Sequence, residues 1–147
     1  MNAASSPSPN VLTGYEPLTS LGRPVHAVIV GASGGIGQAF VEALSQSQSV
    51  VRMHALSRTP PKFSDPKTLS GVIDLEDEHT IAVAAEEIAE HSGKINLVIV
   101  ASGILHDGEA FQPEKSWRAL RADQLERAFK INTIGPLLVS RHFLPLL

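Results

Sequence analysis

One short segment constrains this chain more than any other. It is Gly31-Ala32-Ser33-Gly34-Gly35-Ile36-Gly37, set between an apolar run and an amphipathic one. The run before it, Val25-His26-Ala27-Val28-Ile29-Val30, is short, β-branched and almost wholly apolar. That is the pattern of a strand buried on both faces. After the turn, Ile36, Phe40, Val41 and Leu44 recur at helical spacing until the pattern dissolves in Ser45 to Ser49. Strand, glycine turn and helix in this order open a βαβ unit.

The rest of the chain repeats the alternation. A second strand is predicted from Val50 to Leu56, ended by the loop Ser57-Arg58-Thr59-Pro60-Pro61. A third runs from Ser70 to Asp74 and leads into a helix with Ile81, Ala84, Ala85 and Ile88 inward and Glu86, Glu87 and Glu90 outward. The fourth is Ile95 to Ala101, again continuously apolar. Strands apolar along their whole length and alternating with helices imply an α/β fold with a parallel sheet covered on both faces. Right-handed crossovers then give the strand order 3-2-1-4 of a Rossmann-type doubly wound sheet. A loop from Ser102 to about Leu120 follows, and then a helical stretch reaches Leu147 with Leu125, Phe129, Asn132 and Pro136 on one face. With no fifth strand over the outer edge of strand four, a bare apolar edge would be left, so the sequence is expected to be the first part of a larger domain. An apolar terminal helix bearing Leu137, Leu138, Phe143 and Leu146 is expected to need cover from that remainder or from a second copy in a homo-oligomer.

Composition narrows the partners. Without a cysteine among 147 residues there is no disulfide scaffold, thiol catalyst or cysteine zinc site. A formal charge of -3 argues against a nucleic-acid grip or a polybasic membrane patch. No apolar run approaches the ~20 residues of a bilayer span. Residues 1–22 read as a flexible Ser/Pro-rich tail with neither the basic start nor the apolar core of a secretory signal, which makes the cytoplasm the expected location. Residues 23–147 form the expected nucleotide-binding domain.

The glycine spacing G-x-x-x-G-x-G suits close approach of backbone to a phosphate, with helix N–H groups aimed at the anion. No Gly-Lys-Ser/Thr follows, so the turn is not a Walker A loop. The candidate binding residues here are Gly31, Ser33, Gly34, Gly35, Ile36 and Gly37, the alternative being a plain strand-to-helix turn. About twenty residues on, the tip of the second strand normally meets the adenosine ribose, and here it is Ser57-Arg58. A guanidinium binds a 2′-phosphate through paired charge-assisted hydrogen bonds where an acid would repel it, which favours NADP(H) over NAD(H). Arg58 as an ordinary exposed loop residue is the competing account. Asp74 and Leu75 end the third strand, where the acid can accept from the adenine amino group and the leucine can pack on the ring. An Asp there can equally cap the next helix, although Asp77 is placed for the same task. Ala101-Ser102-Gly103 carries only small side chains, which leaves room for a cofactor beside Ala101 and Gly103 or marks a simple turn.

From Val25 to Leu147 the chain resembles the N-terminal half of the short-chain dehydrogenase/reductases, with the glycine signature intact. Ser102-Gly103-Ile104-Leu105-His106-Asp107, Gln112-Pro113-Glu114-Lys115 and Asn132-Thr133-Ile134-Gly135-Pro136-Leu137-Leu138 are similar to the C-factor-like subgroup. The resemblance implies an NAD(P)-dependent oxidoreductase acting on carbonyl or alcohol groups. It implies that Gly31, Gly35 and Gly37 meet the pyrophosphate, Ser57 and Arg58 the 2′-phosphate, and Asp74 and Leu75 the adenine. Asn132 would be the catalytic asparagine that helps hold a proton-relay water. Pro136 lacks an N–H, so it cannot donate to the carbonyl of Asn132, which is left for that water. The other account of Asn132 is a polar side chain satisfying a neighbouring backbone group.

Two departures stand out. The family's Asn-Asn-Ala-Gly run is Val100-Ala101-Ser102-Gly103 here, without the amides that tie the central strands together. The family's Ser, and its Tyr followed four residues later by Lys, belong downstream of the last helix, whereas the one tyrosine of this chain is Tyr15. The chain alone therefore has no acid for a carbonyl. This motivates an alternative, a non-catalytic NAD(P)-binding or regulatory module complete at residue 147. A third class, an adenosylmethionine-dependent methyltransferase, would want an acid near Ser57. No metal site is expected: His106-Asp107-Gly108-Glu109 lacks spaced partners. Arg118, Arg121, Arg127 and Lys130 are interleaved with Glu114, Asp123 and Glu126 as on a solvated helix surface. Trp117 is open to two readings, packing on the core or lining a substrate entrance, and His54 is expected to be buried or satisfied.

Overall fold

The structure, a computed structural model, describes Leu18, Leu21, Pro24 to Leu105 and Lys115 to Leu147. Of the expected tail, residues 1–22, Leu18 and Leu21 alone are among the described residues, and Leu18 packs against the buried core; the His106 to Glu109 cluster and Gln112-Pro113-Glu114 lie outside them. The elements are β1 (Val25–Val30), α1 (Gly35–Gln46), β2 (Val50–Ser57), β3 (Thr68–Val72), α2 (Glu78–Ser92) and β4 (Leu97–Val100). A 3-10 turn (Trp117–Ala119), α3 (Ala122–Phe129), a π-helical turn (Lys130–Ile134), α4 (Gly135–Phe143) and a 3-10 turn (Leu144–Leu146) complete them. The four strands form one parallel sheet in the order β3-β2-β1-β4, as the alternation predicts.

β1 is the centre of the sheet, and the side chains of Ala27, Val28, Ile29 and Val30 are completely buried. Its alternate residues feed two cores. Val28 and Val30 join Leu56, Ile81, Ala85 and Ile88 beneath α2, together with Val139 and Phe143 of α4. Ala27 and Ile29 join Val41, Leu44 and Met53 beneath α1. Each fully buried side chain of this class contributes about 1.5–3 kcal/mol, so the two cores carry most of the favourable free energy. α2 presents Ile81, Ala84, Ala85 and Ile88 inward as its spacing predicts.

Three boundaries differ from expectation. β3 lies earlier than Ser70 to Asp74, because Met53 pairs with Thr68 and the ladder ends when Ile73 N–H reaches Ser57 O. Asp74 N–H is taken by Thr80 Oγ1 at 2.8 Å instead, which bends the chain out of the sheet. β4 is shorter than Ile95 to Ala101, since Ile95 N–H is drawn to Leu146 O at 2.9 Å. The single helix expected toward Leu147 is broken into α3, the π-helical turn and α4. The apolar face expected of it is split as well. Leu138, Phe143 and Leu146 pack on the core, whereas Leu125, Phe129 and Leu137 are exposed.

The glycine turn owes its shape to two close approaches. Gly31 has φ +92, and a Cβ there would lie 2.6 Å from Ser102 Oγ. A Cβ on Gly37 would collide with the carbonyl of Gly31, so the first turn of α1 sits directly on the end of β1. Gly31 and Ala32 N–H both donate to Leu56 O, at 2.8 and 3.0 Å, which pins the turn to β2. Gly37→Ala is expected to lower stability by roughly 3 kcal/mol or more. Gly35→Ala, whose Cβ would meet nothing within 4 Å, is expected to leave the urea midpoint near wild type. Chemical denaturation of the two variants checks the contrast.

His54 is buried in β2, with Nε2 2.7 Å from Ser92 Oγ at the end of α2. Burial, aided by the charges of Arg52, His91 and His26, lowers its pKa from 6.5 to about 4. The unfolded chain therefore takes up a proton at this position near pH 6.5 that the folded protein refuses until about pH 4. Stability from the neutral ring is complete above pH 6.5 and is lost as pH falls toward 4. Urea midpoints measured through this window are expected to fall more steeply in the wild type than in His54→Gln.

Candidate functional site

The site grows out of the exits of three parallel strands, β1, β2 and β4, together with the loop beyond β3. At the first, α1 begins without a side-chain cap: Gly34 is its N-cap, in an extended conformation, and the first turn holds no acidic residue. Gly34 N–H returns to Gly31 O at 3.1 Å and Gln38 N–H to Gly34 O at 2.8 Å. Ser33 to Ile36 are exposed here, and the free N–H groups and dipole of a helix start favour an anion. At the second exit, Ser57 is buried, and its Oγ has no hydrogen-bond partner among the described residues. Its neighbour Arg58 is exposed, and no hydrogen bond or ion pair engages it among the described residues.

Beyond β3, Asp74 organises a turn. Its Oδ1 accepts from Glu76 N–H at 2.9 Å, and its carbonyl accepts from Asp77 N–H at 3.0 Å. The helix cap is Asp77, whose Oδ1 accepts from His79 N–H at 3.0 Å. Asp74 therefore stands in a loop past the end of the strand and does not cap α2. Leu75 is buried against α4, where a Cβ on Gly135 would lie 2.7 Å from Leu75 Cβ. Glu76 meets Arg127 of α3, with Nε 3.3 Å from Oε1 and Nη2 3.4 Å from Oε2.

At the third exit, Ala101 N–H donates to Val30 O, and the chain leaves β4 through Ser102 and Gly103. Asn132 reaches this segment from the π-helical turn. Its Oδ1 accepts from Ile104 N–H at 2.7 Å and its Nδ2 donates to Ile104 O at 2.8 Å. The amide of Asn132 thus braces the loop after β4, the second of the two roles open to it from sequence. The turn around it is widened: Gly135 N–H donates to Lys130 O, five residues back, and Pro136 offers no N–H to the carbonyl of Asn132.

These exits enclose a cavity of about 210 Å³. It brings together Gly31, Ser33, Gly34, Ser57, Arg58, Asp74, Leu75, Ala101 and Gly103 of the sequence-derived set. Gly35, Ile36 and Gly37 do not line it. Ile36 is 69% exposed just beyond, and Gly37 is consumed by the contact with Gly31. Ile73, Glu76, Ser102, Ile104 and Ile131 also line the cavity and were not singled out from sequence. Adjacency was the available signal, since each follows or precedes a chosen residue. Among the described residues no three His, Asp or Glu side chains gather as metal ligands, and no helix is long and apolar enough to cross a membrane.

A family model described as short chain dehydrogenase matches residues 25–147. The short chain dehydrogenase tazN of Aspergillus terreus is 31% identical over 120 residues, covering 79% of this chain and 23% of that protein. A benzil reductase ((S)-benzoin forming) of Bacillus subtilis is 31% identical over 125 residues, covering 79% and 46%. The chain thus spans less than half the length of these relatives. Among solved structures, an NADPH-bound carbonyl reductase from chicken fatty liver superposes with a TM-score of 0.71 at 25% identity, over 84% of this chain and 52% of that one. The ligand-free aldohexose dehydrogenase of Thermoplasma acidophilum shares the fold, with a TM-score of 0.69 at 20% identity over 86% and 45%. With the family model spanning everything from β1 to the last residue, this chain belongs to the short chain dehydrogenase family.

Proposed function

We propose that the chain forms the cofactor-binding part of an oxidoreductase that prefers NADP(H) to NAD(H) and acts on a carbonyl or alcohol group. The observation that carries this reading is the meeting, around one cavity, of an uncapped helix start with the buried hydroxyl of Ser57 and the guanidinium of Arg58, neither of which has a partner among the described residues. A dinucleotide phosphate fits all three. Its pyrophosphate suits the bare backbone of Gly31, Ser33, Gly34 and Gly35, with Ile36 and Gly37 behind it. Its 2′-phosphate suits Ser57 and Arg58, the residue types that satisfy such a group. The cavity is smaller than the ~300–1,000 Å³ typical of small-molecule sites, so it suits the adenosine end, bordered by Asp74 and Leu75. Ala101 and Gly103 leave the next length of cofactor unobstructed. The name of the chicken reductase, which is NADPH-bound, agrees with this assignment.

The bound nicotinamide would supply or accept a hydride; the chain itself binds, orients and excludes water. In our reading Asn132 serves through two different groups. Its amide fixes Ile104 and with it the floor of the site, while its main-chain carbonyl, denied a donor by Pro136, is the acceptor for a proton-relay water. The motif around Asn132 also supports placing the chain in the C-factor-like subgroup.

Titration of the 147-residue chain with NADPH and NADH, followed by nucleotide fluorescence, tests the reading. Arg58→Ala is expected to weaken NADPH by roughly 1.5–3 kcal/mol, the value of a hydrogen bond to a charged group. NADH binding should change little. Equal losses for both cofactors would remove the 2′-phosphate assignment, and wild-type protein that binds neither would overturn the proposal.

A further inference from the structure

The charges around the cavity are oddly chosen for an anionic ligand. Among the described residues its lining holds one cation, Arg58, against two acids, Asp74 and Glu76, for a sum of -1. A dinucleotide phosphate entering so small a space comes within a Debye length of ~8 Å of every one of these groups. Arg127, outside the lining, brings the sum to zero. It reaches across 51 residues of sequence from α3, and both nitrogens of its fork that are named above lie within 3.4 Å of the Glu76 carboxylate. The pair is sheltered, with side-chain exposures of 32% and 27%, so water screens it less than it would a surface pair.

We infer that Arg127 is a positioning and charge-neutralising residue for the phosphorylated cofactor: it masks Glu76 so that the 2′-phosphate can occupy the cavity beside Arg58. The inference rests on the cofactor reading above. The main chain at Glu76 is held by its N–H bond to Asp74, and Leu75 beside it is wedged against α4 at Gly135, so the residue stays at the edge of the cavity when its partner is lost. An unmasked Glu76 would repel a ligand in proportion to that ligand's charge. NADPH, with its additional phosphate, feels this more than NADH does.

Charge masking and a purely mechanical latch differ in their consequences. A latch is broken equally from either end, whereas masking is asymmetric. Arg127→Met leaves the site at -1 and is expected to weaken NADPH by about five-fold or more and NADH by about two-fold, with both losses shrinking as salt is raised. Glu76→Gln leaves the site at +1 and is expected to tighten NADPH by roughly two-fold or more. The double variant returns the sum to zero and should fall within about two-fold of wild type. The experiment is fluorescence titration of the full chain with NADPH and NADH at low and high salt, with circular dichroism reporting folding. Similar weakening in both single variants and in the double, alike for the two cofactors, would overturn the inference in favour of a latch. Should Arg127→Met fail to fold, Glu76→Gln decides alone: tighter NADPH binding supports masking, and unchanged or weaker binding overturns it. Failure of the underlying reading is separate, since wild type would then bind neither nucleotide.

Discussion

The contact between the carbonyl of Gly31 and the backbone of Gly37 sets the geometry of everything around it. No side chain fits between them, so the end of β1 and the first turn of α1 meet backbone to backbone. That contact leaves the start of the helix bare and level with the exits of β2 and β4. Pinning of Gly31 and Ala32 to Leu56 O carries the same constraint into β2, and therefore to Ser57 and Arg58. One missing methyl group thus decides where three strands deliver their terminal residues.

The helical segment after β4 acts as a brace laid across these exits. It touches the loop of Asp74 through Arg127 and Gly135, and the loop of Ile104 through Asn132. Leu75 is buried in the core where it meets Gly135, whereas the ties through Arg127 and Asn132 are polar. Each fixes the direction of a loop that the sheet alone would leave undetermined, at the modest stability that single hydrogen bonds and partly exposed ion pairs bring. The segment therefore does both: Val139 and Phe143 of α4 belong to a core and supply stability, while its polar ties supply orientation.

Local pattern made most of the architecture legible. Continuous apolar runs marked the strands, the spacing of Ile81, Ala84, Ala85 and Ile88 gave the inner face of α2, and right-handed crossover gave the strand order. The glycine turn and Ser57-Arg58 could be placed on one cavity because both sit at fixed offsets from strand ends. What escaped was non-local or energetic in origin. β3 slipped toward the N-terminus because Thr80 competes for the N–H of Asp74, a contact six residues apart that strand propensity does not encode. Glu76 and Arg127 are each unremarkable surface residues in sequence, and only the packing of α3 makes them a pair. The bonds between the Asn132 amide and Ile104 join residues 28 apart and were equally beyond local pattern.

The π-helical turn has a consequence for how this chain tolerates change in length. A residue added to or removed from a regular helix rotates everything beyond it by about 100° about the axis. The wide turn at Lys130–Ile134 already contains such a surplus residue, a rare arrangement that usually occupies a single turn. The wide turn absorbs that residue locally, so α4 keeps the phase that brings Val139 and Phe143 into the core. A one-residue deletion between Lys130 and Ile134 would restore ordinary helical winding and leave those two side chains inward, but it would remove the local geometry that holds Asn132 against Ile104. The irregularity is therefore a local buffer of chain length: the extra residue is taken up in placing one side chain, and the regular helices on either side are undisturbed.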